Sequence, residues 1–365
     1  MYNATNHFID RHTNKTSGVR VAYTDHAGDW TYHQLAAMVD QAGNVLSNLG
    51  LKAEQRVLMC MTDSVWFPAV FWGAIKIGAV PVPVNTMLTG TDYAYMLHDS
   101  CAHVLVVSES LYLKFAPHIN GQPSLGEVVI DGSSIDGRHS LSVLMESSES
   151  ELPTAPTKRE NSAFWLYTSG STGQPKGAVH RQSDLVQTAR LYGDGILKLD
   201  ESDVVLSAAK LFFAYGLGNS MSFPLHVGCR TVLLADRPTP EIVLSVMKDQ
   251  KVSIFFGVPT LYGAILSDDA NDRSKVSDRL RLCVSAGEAL PEEIGREWER
   301  RFGVPILDGL GSTELLHIFL SNRPDDVCYG TTGRAVSGYK LRIVDENLSL
   351  IHISEPTRPL YISYA

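Results

Sequence analysis

Between Tyr167 and Gly177 the chain reads YTSGSTGQPKG, which sets three glycines, four Ser/Thr hydroxyls and one lysine in eleven positions. Glycines let successive backbone N–H groups turn toward one point as an anion nest, the hydroxyls add donors, and Lys176 supplies a positive charge. Polyphosphate is the guest these groups suit. A Walker loop would place its lysine directly after the last glycine and open into a helix. Here Lys176 follows Gly173 by three residues, is itself followed by Gly177, and leads into the strand-like GAVH. The P-loop NTPase reading therefore fails on spacing and on context.

A loop of this kind needs a rigid frame, and the flanking sequence describes one. Residues 56–61 are strand-like, 65–77 helical, 79–83 strand-like, 89–100 helical and 103–107 strand-like again. A second series follows: DVVLSAA, TVLLA, VSIFFGVP, then strands over 280–284 and 304–307 around one helix. That helix has Pro291 near its start, Glu292 and Glu293 in its first turn, Arg300 and Arg301 in its last, and Gly303 just beyond. Alternating strands and helices predict an α/β protein with parallel sheets covered by helices, whose ligands sit at the loops leaving strand carboxyl ends. The phosphate loop leaves such a strand, AFWLY, Ala163 to Tyr167. Between the two series, residues 132–162 are rich in Ser, Glu and Pro and read as an exposed connection.

Composition excludes several classes of function. The 365 residues are 44% hydrophobic and 19% charged, enough for a large core. Lys plus Arg number 31 against 40 Asp plus Glu, net −9, with no basic run, so a nucleic-acid partner is not expected. Five widely spaced cysteines without C-x-x-C pairs point to reduced core thiols in a cytoplasmic protein. The N-terminal MYNATNHFID has neither the basic flank nor the apolar run of a signal peptide. Residues 65–84 approach membrane-spanning length but contain Lys76, three prolines and Gly78, and read as a buried helix and strand; no membrane partner is expected.

With these segments in view, YTSGSTGQPKG resembles the phosphate-binding signature of adenylate-forming enzymes, which include acyl-CoA synthetases, aryl-CoA ligases, luciferases and peptide-synthetase adenylation domains. WTYHQL at Trp30 to Leu35, VSAGEALP at Val284 to Pro291 and DGLGSTE at Asp308 to Glu314 add to the resemblance in the same order. It implies the large N-terminal domain of that fold: two flavodoxin-like sheet-and-helix subdomains plus a β-barrel, here incomplete. It also implies the chemistry. A carboxylate oxygen attacks the α-phosphorus of ATP, pyrophosphate leaves, and a thiol, CoA in the ligases, later attacks the acyl-adenylate. The nucleophile is already an anion, so the site must compensate charge and needs no general base.

By the same resemblance, Thr168, Ser169, Gly170, Ser171, Thr172 and Gly173 with Lys176 hold the β- and γ-phosphates, Thr313 the α-phosphate, and Glu314 a Mg²⁺ ion. Ser285, Ala286, Gly287, Glu288, Asp308, Gly309 and Leu310 line the adenine slot. Two alternatives stay open: Glu314 as a capping carboxylate for the LLHIFL segment, and Glu288 as the solvated first residue of a helix entry. His180 and His226 lie beside these motifs, but their spacing indicates no metal pair and they are not assigned to the site.

The acid is chosen by KLFFAYGLGNSMSFPLHVG, Lys210 to Gly228. Phe212, Phe213 and Tyr215 alternate there with small residues, which suits a flat apolar slot. No acidic residue lies in the stretch, whereas an α-amino acid would bring an ammonium whose unpaired burial costs roughly several kcal/mol. KLFFAYGLGN together with LGSTELLHIFLSN resembles benzoate-CoA ligases and their hydroxybenzoate relatives, which implies a small aromatic carboxylate, ATP and CoA as partners. Ala214, Tyr215, Gly216, Gly311, His317 and Ile318 would then surround the ring. Phe212 and Phe213 could equally be core, and His317 an ordinary satisfied histidine.

After GYKLRIVDEN the family pattern would continue with the rest of the barrel, an aspartate for the ribose, a hinge and a small domain carrying a catalytic lysine. The sequence continues instead with LSLIHISEPTRPLYISYA, whose first eleven residues resemble the translation of a transposase adaptor. The expectation is an AMP-binding domain over 1–347, incomplete at its C-terminal end, and a non-native tail over 348–365. On that expectation the 365-residue chain binds ligands without turnover. Activation of another carboxylic acid, or a purely nucleotide-binding role, are the alternatives.

Overall fold

The computed structural model describes residues 1–168 and 173–344. Its strands in chain order are β1 Val21–Asp25, β2 Gly28–Thr31, β3 Arg56–Cys60, β4 Val80–Pro83, β5 Ala102–Ser108, β6 Glu127–Asp131, β7 His139–Ser140, β8 Ser162–Thr168, β9 Lys176–Arg181, β10 Val204–Ser207, β11 Arg230–Val232, β12 Ile254–Gly257, β13 Leu282–Ser285, β14 Ile306–Gly311, β15 Ile318–Ser321 and β16 Arg334–Ala335. They form a five-stranded sheet in the order β4-β3-β5-β6-β7, a nine-stranded sheet in the order β16-β15-β14-β13-β12-β10-β11-β1-β2, and the hairpin β8-β9. The five-stranded sheet is parallel throughout. In the nine-stranded sheet β1, β11, β10, β12, β13 and β14 run parallel, with antiparallel strands at both edges.

Parallel strands are covered on both faces, so they should be apolar at consecutive positions. β10, β12 and β13 are buried at every residue. One central core joins the two sheets through the helices Tyr32–Asn48 and Trp66–Lys76, and each sheet's outer face carries a core of its own. WTYHQL is the entry of the first of these helices. Thr31 accepts from the Gln34 N–H while the Gln34 side chain accepts from the Thr31 N–H, a capping box. The apolar segment read as a buried helix is Trp66–Lys76, and its one charge, Lys76, reaches Asp10 at 2.9 Å and Asp40 at 2.5 Å. No helix among the described residues is long and apolar enough to cross a membrane.

One strand pair lies outside the sequence reading, and three features differ from it. The first hairpin, β1-β2, does not belong to the first strand series; Tyr23 pairs with Thr231, so the N-terminus closes the second sheet. The segment 132–162 is not only a connection. It supplies the edge strand β7 and the helix Leu141–Glu146, whose Leu141 and Met145 are buried. Cys60, Cys229 and Cys283 are buried free thiols, but Cys101 and Cys328 are exposed. The strand before the phosphate loop belongs to neither parallel series: it is antiparallel to the one after it, with Thr168 opposite Lys176, so the loop bridges a hairpin and leads, as GAVH indicates, into a strand. Of the expected barrel, residues 336–343 run as turns and irregular chain, and the tail from Leu348 lies outside the described residues.

Candidate functional site

The nine-stranded sheet changes direction of growth between β10 and β12: from β10 the chain passes to β11 on one side, then returns to lay β12 on the other. At such a switch point neighbouring loops diverge and leave a crevice at the strand carboxyl ends. A cavity of about 390 Å³ opens there. Its walls are the residues that follow four adjacent parallel strands: Ala208, Ala209 and Lys210 after β10, Val258 after β12, Ala286 and Gly287 after β13, and Gly311 to Thr313 where β14 ends. Phe213, Ala214 and Tyr215 at the start of the short helix Ala214–Leu217, with His317 and Ile318, complete the enclosure.

The cavity holds one charged side chain, and that charge is occupied. Lys210 Nζ donates to the main-chain carbonyls of Leu234, of Ala235 at 3.1 Å and of Asp236 at 2.8 Å. The remaining walls are small, aliphatic or aromatic residues with the hydroxyls of Ser312 and Thr313 at one end of the chain segment that lines it, which suits a flat, largely apolar guest. Tyr215 Oη donates to the carbonyls of Gly257 and Val284, each at 3.2 Å, fixing the ring at the ends of β12 and β13. His317 is buried, shares a hydrogen bond of 3.0 Å between Nε2 and Asn219 Oδ1, and sits among Tyr192, Tyr215 and Phe223 at centroid distances of 5.2, 5.6 and 4.4 Å. Burial pushes its imidazole down to about 3, so it is neutral at ordinary pH.

Beside this cavity, β13 and β14 present two buried oxygens with no protein partner. Ser285, the last residue of β13, and Asp308, within β14, are register partners on adjacent parallel strands, so their side chains lie on the same side of the sheet. Ser285 Oγ and Asp308 Oδ1 are both buried and have no hydrogen-bond partner among the described residues. Burial raises the Asp308 carboxyl to about 7, against opposing hydrogen bonds from the backbone of Leu290 and Gly309. Buried polar atoms without partners are uncommon and invite a ligand that supplies them. A purine nucleoside, with exocyclic N–H and hydroxyl donors, has groups that match.

The hairpin β8-β9 carries the two ends of the phosphate loop, Thr168 and Lys176, as register partners. Phe164, Leu166 and Thr168 on β8 face the same way as His180, Ala178 and Lys176 opposite them on β9. Helix Gly90–Asp99 pins both limbs: Tyr95 Oη donates to the Pro175 carbonyl at 3.1 Å and Tyr167 Oη donates to Asp99 Oδ2 at 2.7 Å. His180, near the far end of β9, is buried and stacks on Phe164 at 4.9 Å. Its pKa is lowered by burial, opposed by the Asp184 carboxylate, the Thr313 main chain and the Glu314 carboxylate, which places the Thr313–Glu314 turn against this ring.

Of the residues singled out from sequence, Ala214, Tyr215, Ala286, Gly287, Gly311, Thr313, His317 and Ile318 surround one cavity. Gly216 does not line it; a Cβ there would lie 2.0 Å from the Lys210 carbonyl, so glycine lets the helix start tightly against that chain. Phe213 lines the cavity whereas Phe212 is buried outside its lining, which divides the Phe-Phe pair between the two readings. Lys176, Glu288 and Glu314 are exposed, Ser285, Asp308 and Gly309 are buried in strands, and Leu310 and Gly173 lie outside the cavity lining. Ser169, Gly170, Ser171 and Thr172 lie outside the described residues. The LLHIFL segment is a turn over 315–317 that runs into the strand β15, so Glu314 has no helix there to cap. Among the described residues no three His, Cys, Asp or Glu side chains group as a metal site. The sequence reading missed Ala208, Ala209, Lys210, Val258, Ser312, Asn219 and His180. All but the last two follow strand ends directly, a signal usable once the strand order is known.

The chain matches the family model for AMP-binding enzymes over residues 9–356. It is 51% identical over 348 residues to a benzoate–CoA ligase of Thauera aromatica, covering 95% of this chain and 65% of that protein. It is 40% identical over 345 residues to a 4-hydroxybenzoate–CoA/benzoate–CoA ligase of Rhodopseudomonas palustris, covering 94% of this chain and 64% of the relative. The fold superposes on a crystal structure of a benzoate CoA ligase from Burkholderia xenovorans LB400 with a TM-score of 0.90 at 40% identity, over 97% of this chain and 70% of that one. The chain thus spans just under two thirds of the length of these two curated relatives.

Proposed function

This chain belongs to the AMP-binding enzyme family, and from that premise we propose that it is the ATP- and acid-binding part of an aryl-CoA ligase activating benzoate or a hydroxybenzoate. The observation that carries the reading is the cavity at the β10/β12 switch point, apolar and aromatic, holding no carboxylate and adjoining the unpartnered Ser285 and Asp308 oxygens. An aromatic ring occupies the slot between Tyr215, His317 and Ile318, with its carboxylate toward Gly311 to Thr313. The adenosine moiety engages Ser285 and Asp308, and the polyphosphate reaches the hairpin mouth at Thr168 and Lys176.

In this arrangement a carboxylate oxygen attacks the α-phosphorus of ATP, the bond to the bridging oxygen breaks, and pyrophosphate takes the electron pair. Thr313 orients the α-phosphate and Lys176 offsets the charge that develops on the leaving pyrophosphate. Glu314 would hold a Mg²⁺ ion, which when bound would supply further charge neutralisation. Attack of the CoA thiol on the acyl carbonyl then expels AMP, the thiol proton leaving to solvent. The neutral His317 and the absence of a carboxylate among the lining residues favour an uncharged ring over an α-amino acid, whose ammonium would be buried without a partner. The unpaired cysteines and the absence of a membrane-crossing helix among the described residues are compatible with a cytoplasmic location.

The test is acid-dependent release of pyrophosphate from ATP by the protein carrying this chain, with benzoate, hydroxybenzoates, a medium-chain fatty acid and phenylalanine compared. Benzoate-sized acids are expected to give the highest kcat/KM. A preference for phenylalanine or the fatty acid would overturn the pocket assignment, and phosphate release without any acid would point to simple ATP hydrolysis.

A further inference from the structure

The five-stranded sheet has a switch point of its own, which the reaction above leaves unused. From β3 the chain passes to β4 on one side and returns to lay β5 on the other. A cavity of about 540 Å³ opens at the strand carboxyl ends there. Its chemistry is the opposite of the acid slot's. Ser108, the last residue of β5, and Asp131, the last of β6, are register partners on its wall. Ser108 Oγ accepts from the Thr62 N–H at 3.0 Å and donates to Asp131 Oδ2 at 2.8 Å, which ties the loop after β3 to the ends of both strands. Glu109 Oε2 accepts from the Ser133 N–H at 2.7 Å. Each carboxylate keeps one oxygen, Asp131 Oδ1 and Glu109 Oε1, without a partner among the described residues.

No lysine or arginine lines this cavity, and its one basic wall group is His26, exposed on the turn between β1 and β2. Burial raises the Asp131 carboxyl above its usual range, against the Ser108 hydrogen bond and the nearby His26. A separate observation points the same way. Ser64, which follows β3, is 4% exposed and lines the cavity, and its Oγ is buried with no hydrogen-bond partner among the described residues. An oxygen left so incurs about 1–3 kcal/mol of desolvation until a partner joins it.

We propose that this cavity is a second binding site, for a small organic ammonium whose N–H groups are accepted by Asp131 Oδ1, Glu109 Oε1 and Ser64 Oγ, with the Trp66 indole as its apolar wall. Two carboxylates with no lysine or arginine to offset them exclude an anion. A neutral polyol would use the hydroxyls but leave both charges uncompensated, whereas an ammonium meets them with charge-assisted hydrogen bonds and favours an indole wall. A bare metal ion lacks a ligand set, since no group of three His, Cys, Asp or Glu side chains forms one among the described residues. The site shares no wall residue with the acid cavity, so it stands or falls apart from the functional reading above.

The experiment titrates 1,4-diaminobutane, sorbitol and Mg²⁺ separately into the protein carrying this chain, by calorimetry at pH 8. The diamine is expected to bind one to one and to weaken as salt rises from about 0.05 to 0.5 M. Asp131→Asn and Glu109→Gln keep an acceptor for Ser108 and Ser133 while removing the charge, and each should weaken the diamine about tenfold or more, the scale of a hydrogen bond to a charged group. Ser64→Ala should weaken it about three- to tenfold. Asp325→Asn, an exposed acid outside the cavity, should leave it within about twofold. Absence of saturable diamine binding overturns the proposal, as does binding of sorbitol or Mg²⁺ in its place, and an Asp325→Asn loss equal to the others would reduce it to general attraction by an acidic protein. Should Asp131→Asn melt too low to titrate, Glu109→Gln and Ser64→Ala decide: unaltered diamine affinity in both refutes the site.

Discussion

Gly218→Ala should move the ring that closes the acid cavity without touching the nucleotide end. A Cβ at Gly218 would stand 2.3 Å from His317 Cδ2, 2.7 Å from its Nε2 and 3.2 Å from Phe223 Cζ. To regain ordinary contact near 3.4 Å the imidazole must retreat by about 1 Å. It cannot do so freely, because Phe223 is at 4.4 Å, Tyr192 at 5.2 Å and the 3.0 Å hydrogen bond to Asn219 ties it on the same side. The ring is therefore driven toward the cavity and the Asn219 bond is stretched. Overpacking of this kind costs about 1–3 kcal/mol, and loss of the hydrogen bond adds about 1 kcal/mol. Because His317 is a wall of the cavity, much of that appears as lost acid affinity. Benzoate binding should weaken about ten- to a hundredfold, with Mg²⁺·ATP affinity within about twofold, both read by calorimetric titration. In a double-mutant cycle with His317→Ala the Gly218→Ala effect should largely vanish, since the clashing ring is gone. Benzoate affinity unchanged in Gly218→Ala, or equal effects with and without His317, would refute the reasoning.

Three other outcomes are expected. Lys176→Ala and Glu314→Ala should each slow benzoate-dependent pyrophosphate release by about a hundredfold or more, the scale of losing a preorganised charge-stabilising group, and near-normal rates would remove that residue from the site. Ala214→Phe should overfill the slot and raise the KM for benzoate much more than that for ATP; equal changes in both would argue against the ring lying beside Ala214. Asp308 has a folded-state pKa raised to about 7 by burial, so the native state holds a proton that the unfolded chain releases near pH 4. Its contribution to stability is present at low pH and is lost as pH rises from about 4 through 7, by up to about 4 kcal/mol. Asp308→Asn should flatten that slope and raise the melting temperature at pH 8; thermal denaturation across this range that finds no difference from the parent would show the carboxylate is not desolvated.

What could be read from the sequence was chemistry that residues carry in their own neighbourhood. The glycines, hydroxyls and lysine of Tyr167 to Gly177, the capping pair Thr31 and Gln34, the mostly apolar runs of β10, β12 and β13, and the acid-free stretch around Tyr215 are each local, because caps and hydrophobic patterning act within a few residues. Resemblance to a family then named the residues that such chemistry uses. Tertiary structure alone decided which strand lies beside which. Parallel strands are joined by long crossovers, so nothing near Val204 states that it will neighbour both β11 and β12, and nothing near Tyr23 states that it will pair with Thr231. That order created the switch point, put Ala208, Lys210 and Val258 around the slot, and set Ser285 opposite Asp308. It also carried His180, which sequence spacing left aside, to the Thr313–Glu314 turn. Those neighbours come from distant segments brought together by burying both faces of each sheet, a condition of the whole chain that no local window contains.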